Sequence, residues 1–143
     1  MELLRIAVLF HDSGFTVGPK DHEERGCNMA REILPGFDYS EDEIETICGM
    51  ILATKYPQKP NNHLEEIICD ADLDYLGRDD FFEIGNTLFK EMKEQGSLSD
   101  EDEWNRLQES FLVSHSYLTK SAISLRNAKK QEHLDMVRKV LKD

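Results

Sequence analysis

His11 and Asp12 stand side by side at the end of an apolar run, Leu3–Phe10. A neutral imidazole beside a carboxylate is a donor pair for a hard-to-borderline divalent ion. Neighbours on a regular helix diverge by about 100°, so both reach one ion only where the helix ends. Ser13-Gly14 supplies that ending. A second acidic set follows in Asp70-Ala71-Asp72-Leu73-Asp74-Tyr75-Leu76-Gly77. Three acids at alternate positions cannot share one helix face. Asp72 falls one turn after Ile68 and beside Ala71 and Tyr75, on the core border. A carboxylate among apolar neighbours is costly unless a cation or hydrogen bonds compensate it. Asp72, with Asp70 as the alternative, is therefore a candidate ligand, set against the plainer reading of a solvated acidic edge. The third set is Lys20-Asp21-His22-Glu23-Glu24-Arg25-Gly26. His22 is placed to protonate a leaving oxygen or donate to a phosphate, and Glu23 to take a proton from water. Their bland reading is decoration of a helix start. Lys20, Lys55 and Arg78 flank the same loops and are candidates for pairing with phosphate, or simply solubilising charges.

These groups need scaffolding, and the periodicity supplies helices. Leu3–Phe10 is apolar nearly all round, the pattern of a buried helix. Asp21 is a candidate N-cap for a helix over His22–Leu34, closed by Pro35-Gly36. Ser40 and Glu43 form a capping box. It opens a helix with Ile44, Ile47, Cys48 and Ile51 on one face. A fourth helix begins near His63, read as its cap, with Leu64, Ile67, Ile68, Ala71 and Tyr75 inward. Asp79 or Asp80 caps a fifth through Gln95, with Phe81, Ile84, Leu88, Phe89 and Met92 inward. A sixth covers about Asp100 to Val113, with an acidic first turn that suits the helix dipole. The last, near Lys120–Leu141, turns Leu134, Val137 and Leu141 inward and leaves His133 exposed. His115, Tyr117 and Thr119 read as a hydrogen-bonded helix junction. No stretch alternates like a strand, so the expected architecture is an all-α bundle of six to seven helices in one domain, 1–143.

Composition narrows the function classes. The 143 residues carry a formal net charge of −12, a field that repels nucleic acid and anionic lipid. No apolar run is long enough for a membrane span, and Met1–Phe10 lacks the features of a signal peptide. The three cysteines, Cys27, Cys48 and Cys69, are far apart in apolar helical patterns. They read as buried free thiols of a reducing compartment, hence a cytoplasmic protein, and no CxxC suggests a thiolate zinc site.

Taken in order, Ala7-Val8-Leu9-Phe10-His11-Asp12, His22-Glu23, Ile51-Leu52-Ala53-Thr54 and Asp70-Ala71-Asp72-Leu73 resemble the HD superfamily of metal-dependent phosphohydrolases. The DADL-x-x-LG stretch Asp70–Gly77 and the late segment Phe111–Thr119 followed by Lys130 are similar to a bacterial subgroup of predicted HD phosphohydrolases. The resemblance implies an HD-domain helical bundle with His11 and Asp12 as metal ligands. It places a distal ligand within Asp70–Asp72, favouring Asp72, and gives Asp12, His22 and Glu23 catalytic duties. A divalent metal would activate water for attack on phosphorus and polarise a phosphoryl oxygen. The donor set favours Mn or Mg, with Fe, Co or Zn also fitting. The implied partner is a small phosphorylated substrate: a nucleotide, a cyclic nucleotide or another small phosphate ester. The family's first ligand, a His on an earlier helix, has no counterpart before His11. The chain therefore reads as N-terminally incomplete. The alternative is a catalytically impaired HD-like module for nucleotide binding, regulation or dimerisation, with an apolar patch on the Leu3–Phe10 helix as its mark and a homodimer as its natural cover.

Overall fold

Seven α-helices make up the regular structure of the described residues, 1–13 and 21–143 of this computed structural model, and no strand occurs among them. They are α1 (Glu2–His11), α2 (His22–Ile33), α3 (Glu41–Ala53), α4 (His63–Asp72), α5 (Phe81–Glu94), α6 (Glu101–Ser114) and α7 (Lys120–Lys142), with 3-10 turns at Leu34–Phe37 and Asp74–Gly77. The all-α class follows the 3.6-residue periodicity. No helix among the described residues is long and apolar enough to cross a membrane. The chain divides into two compact units, Met1–Asp72 and Leu73–Asp143.

In the first unit α3 is the hub, packed against α1, α2 and α4. Its face Ile44, Ile47, Cys48 and Ile51 is buried as the spacing predicts, with Met50 beside it. The capping box is present in both halves. Glu43 N donates to Ser40 Oγ at 3.2 Å and Ser40 N to Glu43 Oε2 at 2.8 Å. All three cysteines are buried free thiols. Burial pushes Cys27 and Cys69 up to about 12, which leaves them unreactive at neutral pH.

Several local expectations fail here. The first helix is not buried all round. Leu4 and Ala7 enter the core, while Val8 is 44% and Leu9 76% exposed, because neighbours cover this short helix on one side only. Asp21 sits in the left-handed region (φ 55°) and makes no side-chain cap bond. His63 does not cap α4; Asn62 does, its Oδ1 accepting from Glu65 N at 3.0 Å. On α4, Leu64, Ile67 and Ile68 pack against the core as the spacing predicts, joined by the buried Glu65, Cys69 and Asp70, while Ala71 is exposed. The buried Glu65 carboxylate is satisfied by Asn61 N at 2.6 Å.

The second unit gathers around Leu76, Phe81, Leu112, Tyr117, Leu134 and Val137. Tyr117 acts as the expected junction, its hydroxyl donating to Leu73 O at 2.8 Å, and Thr119 caps α7. Asp80 makes no cap bond to α5. Its carboxylate is gripped by Arg78 at 3.0 and 2.6 Å. His133 is not exposed. It is 3% exposed, its Nδ1 donates to Leu76 O at 2.8 Å, and its ring stacks on Phe81. An amphipathic ring among aromatics buries well when one nitrogen finds a carbonyl.

Candidate metal centre

Two helices of the first unit end at the same place. His11 is the last residue of α1 and Asp72 the last of α4, with Asp12 just past α1. The ending at Asp12 releases its side chain from helical spacing and brings it to the face of His11. His11 Nε2 lies 3.1 Å from Asp12 Oδ2 and 3.1 Å from Asp72 Oδ1. One ligand atom from each of the three residues lies within 4.8 Å of the others. The α1 C-terminus adds its partial negative charge to a spot already lined by carboxylates.

The other edge of the ring sets its tautomer. His11 Nδ1 is 2.6 Å from Val8 O. A carbonyl only accepts, so Nδ1 carries the hydrogen. In the neutral ring the Nε2 lone pair then points between two anionic oxygens, which is repulsive unless a cation intervenes. A proton or a metal ion fits that description. A histidine whose second nitrogen donates to a backbone carbonyl is the usual arrangement at metal centres. With a proton as the cation, the hydrogen bonds to Asp12 and Asp72 hold the imidazole up to about 10 against the effect of burial. His11 in turn holds the Asp12 carboxyl below the usual carboxylate range.

This raised value carries a pH dependence. A group that gains protons on folding stabilises the native state fully below its unfolded pKa, about 6.5 for histidine. That contribution is lost as pH rises through about 10. Metal-free protein is therefore expected to lose stability from about pH 6.5 to about pH 10. His11→Gln should flatten that slope, as read by urea denaturation in chelator at stepped pH. Equal slopes in both proteins would refute it.

His22, the first residue of α2, brings Nε2 to 4.0 Å from Asp12 Oδ1 and 3.2 Å from Glu23 Oε1. Glu23 is buried, which favours a role beyond decorating a helix start. Asp70 is also buried but is not part of the His11–Asp12–Asp72 group. Lys55 is engaged by Glu24 at 3.1 Å and Asp21 at 3.8 Å. Arg78 lies in the second unit, paired with Asp80 and Asp74. Lys20 lies outside the described residues.

One positioning residue escaped the sequence reading. A Cβ on Gly26 would lie 2.6 Å from Phe10 O, so α2 touches the backbone that presents His11. The signal was a glycine inside a helix, where it costs about 1 kcal/mol relative to Ala. Gly26→Ala recovers that propensity but must displace a backbone carbonyl, typically costing 1–3 kcal/mol, roughly. A net destabilisation of about 1 kcal/mol and weakened metal binding are expected, measured by denaturation and by metal titration. An unchanged affinity would show that Gly26 does not position His11.

Site and fold together define an all-helical chain with a surface-accessible His–Asp–Asp donor set at two converging helix ends. No protein-family model matches the chain, and neither does any curated protein or solved structure.

Proposed function

We propose that this chain is a metal-dependent phosphohydrolase of the HD type, acting on a nucleotide, cyclic nucleotide or small phosphate ester. His11, Asp12 and Asp72 would hold the ion. One observation supports this above the rest: a single imidazole nitrogen faces two carboxylates at 3.1 Å while the other nitrogen is tied to a backbone carbonyl. A divalent ion at that spot supplies polarisation of a phosphoryl oxygen and a lowered pKa for water. Mn or Mg suits a donor set with one His and two carboxylates. His22, poised between Asp12 and Glu23, would protonate the leaving oxygen, and the Glu23 carboxylate would orient that imidazole.

The test is elemental analysis of purified protein and of Asp12→Ala, followed by a nucleotide and aryl-phosphate panel with Mn or Mg. Stoichiometric metal that is lost in the variant, with turnover lost alongside, is the expected result. Equal metal in both proteins would remove the site; metal without turnover would remove the enzyme. A second reading, a binding module without turnover, is favoured by the exposed Val8 and Leu9 on α1 and by the ion pairs that already occupy Lys55 and Arg78.

A further inference from the structure

The second unit contains a groove of about 620 Å³ between the C-terminal end of α6, the junction that follows it and one face of α7. Ile123, Asn127, Lys130, Leu134 and Arg138 recur at helical spacing and supply the α7 face. Leu112 and Leu134 are buried and form an apolar base, while Val113 and Ile123 at the edge are 56% and 41% exposed.

The charge of the groove runs against that of the chain. The protein has 29 acidic residues against 17 Lys and Arg. Yet no Asp or Glu lines the groove among the described residues, whereas Lys130 and Arg138 do. Arg138 already holds Glu109 at 2.8 Å. Lys130 has no such counterion, and no carboxylate pairs with it among the described residues. An ammonium has three N–H donors. One of those on Lys130 donates to His115 O, and its Nζ stands 5.7 Å from the centre of the Tyr117 ring. The side chain is half-buried, and burial pushes its pKa down with no neighbouring anion to oppose it. A cation taken partly out of water is costly until an anion meets it. The groove therefore lacks one thing that a ligand can bring, a negative charge beside Lys130, and it offers apolar surface next to that place.

We propose that the α6–α7 groove binds a small organic anion, its carboxylate or phosphate head on Lys130 and its apolar body against Leu112, Ile123 and Leu134. Charge complementarity selects the head, and the exposed apolar edge selects a body rather than a bare ion. All of these residues belong to the second unit. The test is run in chelator, so it reads neither the metal centre nor hydrolysis.

Phenylphosphonate and phenylacetate present the two heads on one kind of ring. Titrated into ¹⁵N-labelled full-length protein, at least one is expected to shift the backbone amides around 112–117 and 123–138 saturably. The expected dissociation constant is on the order of 1 mM or tighter. Benzyl alcohol, which lacks the charge, and inorganic phosphate, which lacks the body, should each bind about tenfold more weakly or worse. Lys130→Met should weaken the anion by about tenfold or more, and Lys130→Arg should retain it. Ile123→Asp leaves Lys130 in place and sets a carboxylate at an exposed edge position. It too should abolish binding, so the outcome does not hang on one variant folding. Absence of a saturable shift with both anions would overturn the proposal. So would full affinity in Lys130→Met or Ile123→Asp, or equal affinity for benzyl alcohol or inorganic phosphate. Shifts of the same amides that grow with protein concentration alone would also overturn it, by showing that a second copy supplies the carboxylate.

Discussion

Asp72→Asn is expected to weaken binding of the divalent ion proposed for the His11–Asp12–Asp72 group by about 100-fold or more, and to lower any phosphohydrolase turnover in proportion. The substitution is isosteric, so what changes is charge. In the wild type two carboxylate oxygens converge on His11 Nε2 at 3.1 Å. The amide removes one negative charge and one strong donor oxygen from a three-residue set. The fold should survive, since Asn can still accept a hydrogen bond from a protonated His11. Asp70→Asn is the informative control. Asp70 is two residues away and buried, yet outside the donor group, so its variant should keep the ion. Metal titration with Mn, monitored by equilibrium dialysis, separates the two. Full affinity in Asp72→Asn, or its loss in Asp70→Asn alone, would move the site to the other aspartate.

Gly77→Ala should produce the largest loss of stability from a single methyl group, about 3 kcal/mol. The 3-10 turn Asp74–Gly77 lies directly on α7. A Cβ at Gly77 would sit 2.5 Å from Arg126 O, 2.7 Å from Arg126 Cβ and 2.9 Å from Arg126 Cα. The first and last of these are backbone atoms of a long helix, so no side-chain rotation relieves the clash. The turn cannot retreat easily either. Arg126 holds Asp74 at 2.7 Å, and Tyr117 holds Leu73 O and Asp74 O. Gly36→Ala is the matched control, because a Cβ there meets nothing within 4 Å. It should move the midpoint by no more than about 0.5 kcal/mol. Urea denaturation of both variants checks the contrast; equal midpoints would mean that the turn and α7 slide apart freely.

The chain's own order of residues determined its helices and the ends of most of them. The Ser40–Glu43 box, the i, i+3, i+4, i+7 face of α3 and the acidic start of α6 are local patterns. Each is decided by backbone geometry and by neighbours within a turn or two. His11-Asp12 was legible for the same reason: a donor pair placed where an apolar helix stops. What the local pattern cannot decide is which faces meet. Only packing in three dimensions set Asp72 rather than Asp70 against His11, buried His133 under Leu76 and Phe81, and left Leu9 of an apolar helix in the open. It also engaged Lys55 with Glu24 and Asp21, and Arg78 with Asp80 and Asp74. Gly26 and Gly77 look like weak points along the chain, yet each marks a place where two backbones come too close for a methyl group. Helix formation depends on interactions of short range, whereas burial, ion pairing and the meeting of α1 and α4 depend on residues distant in sequence. The former can be read along the chain; the latter exist only once it has folded.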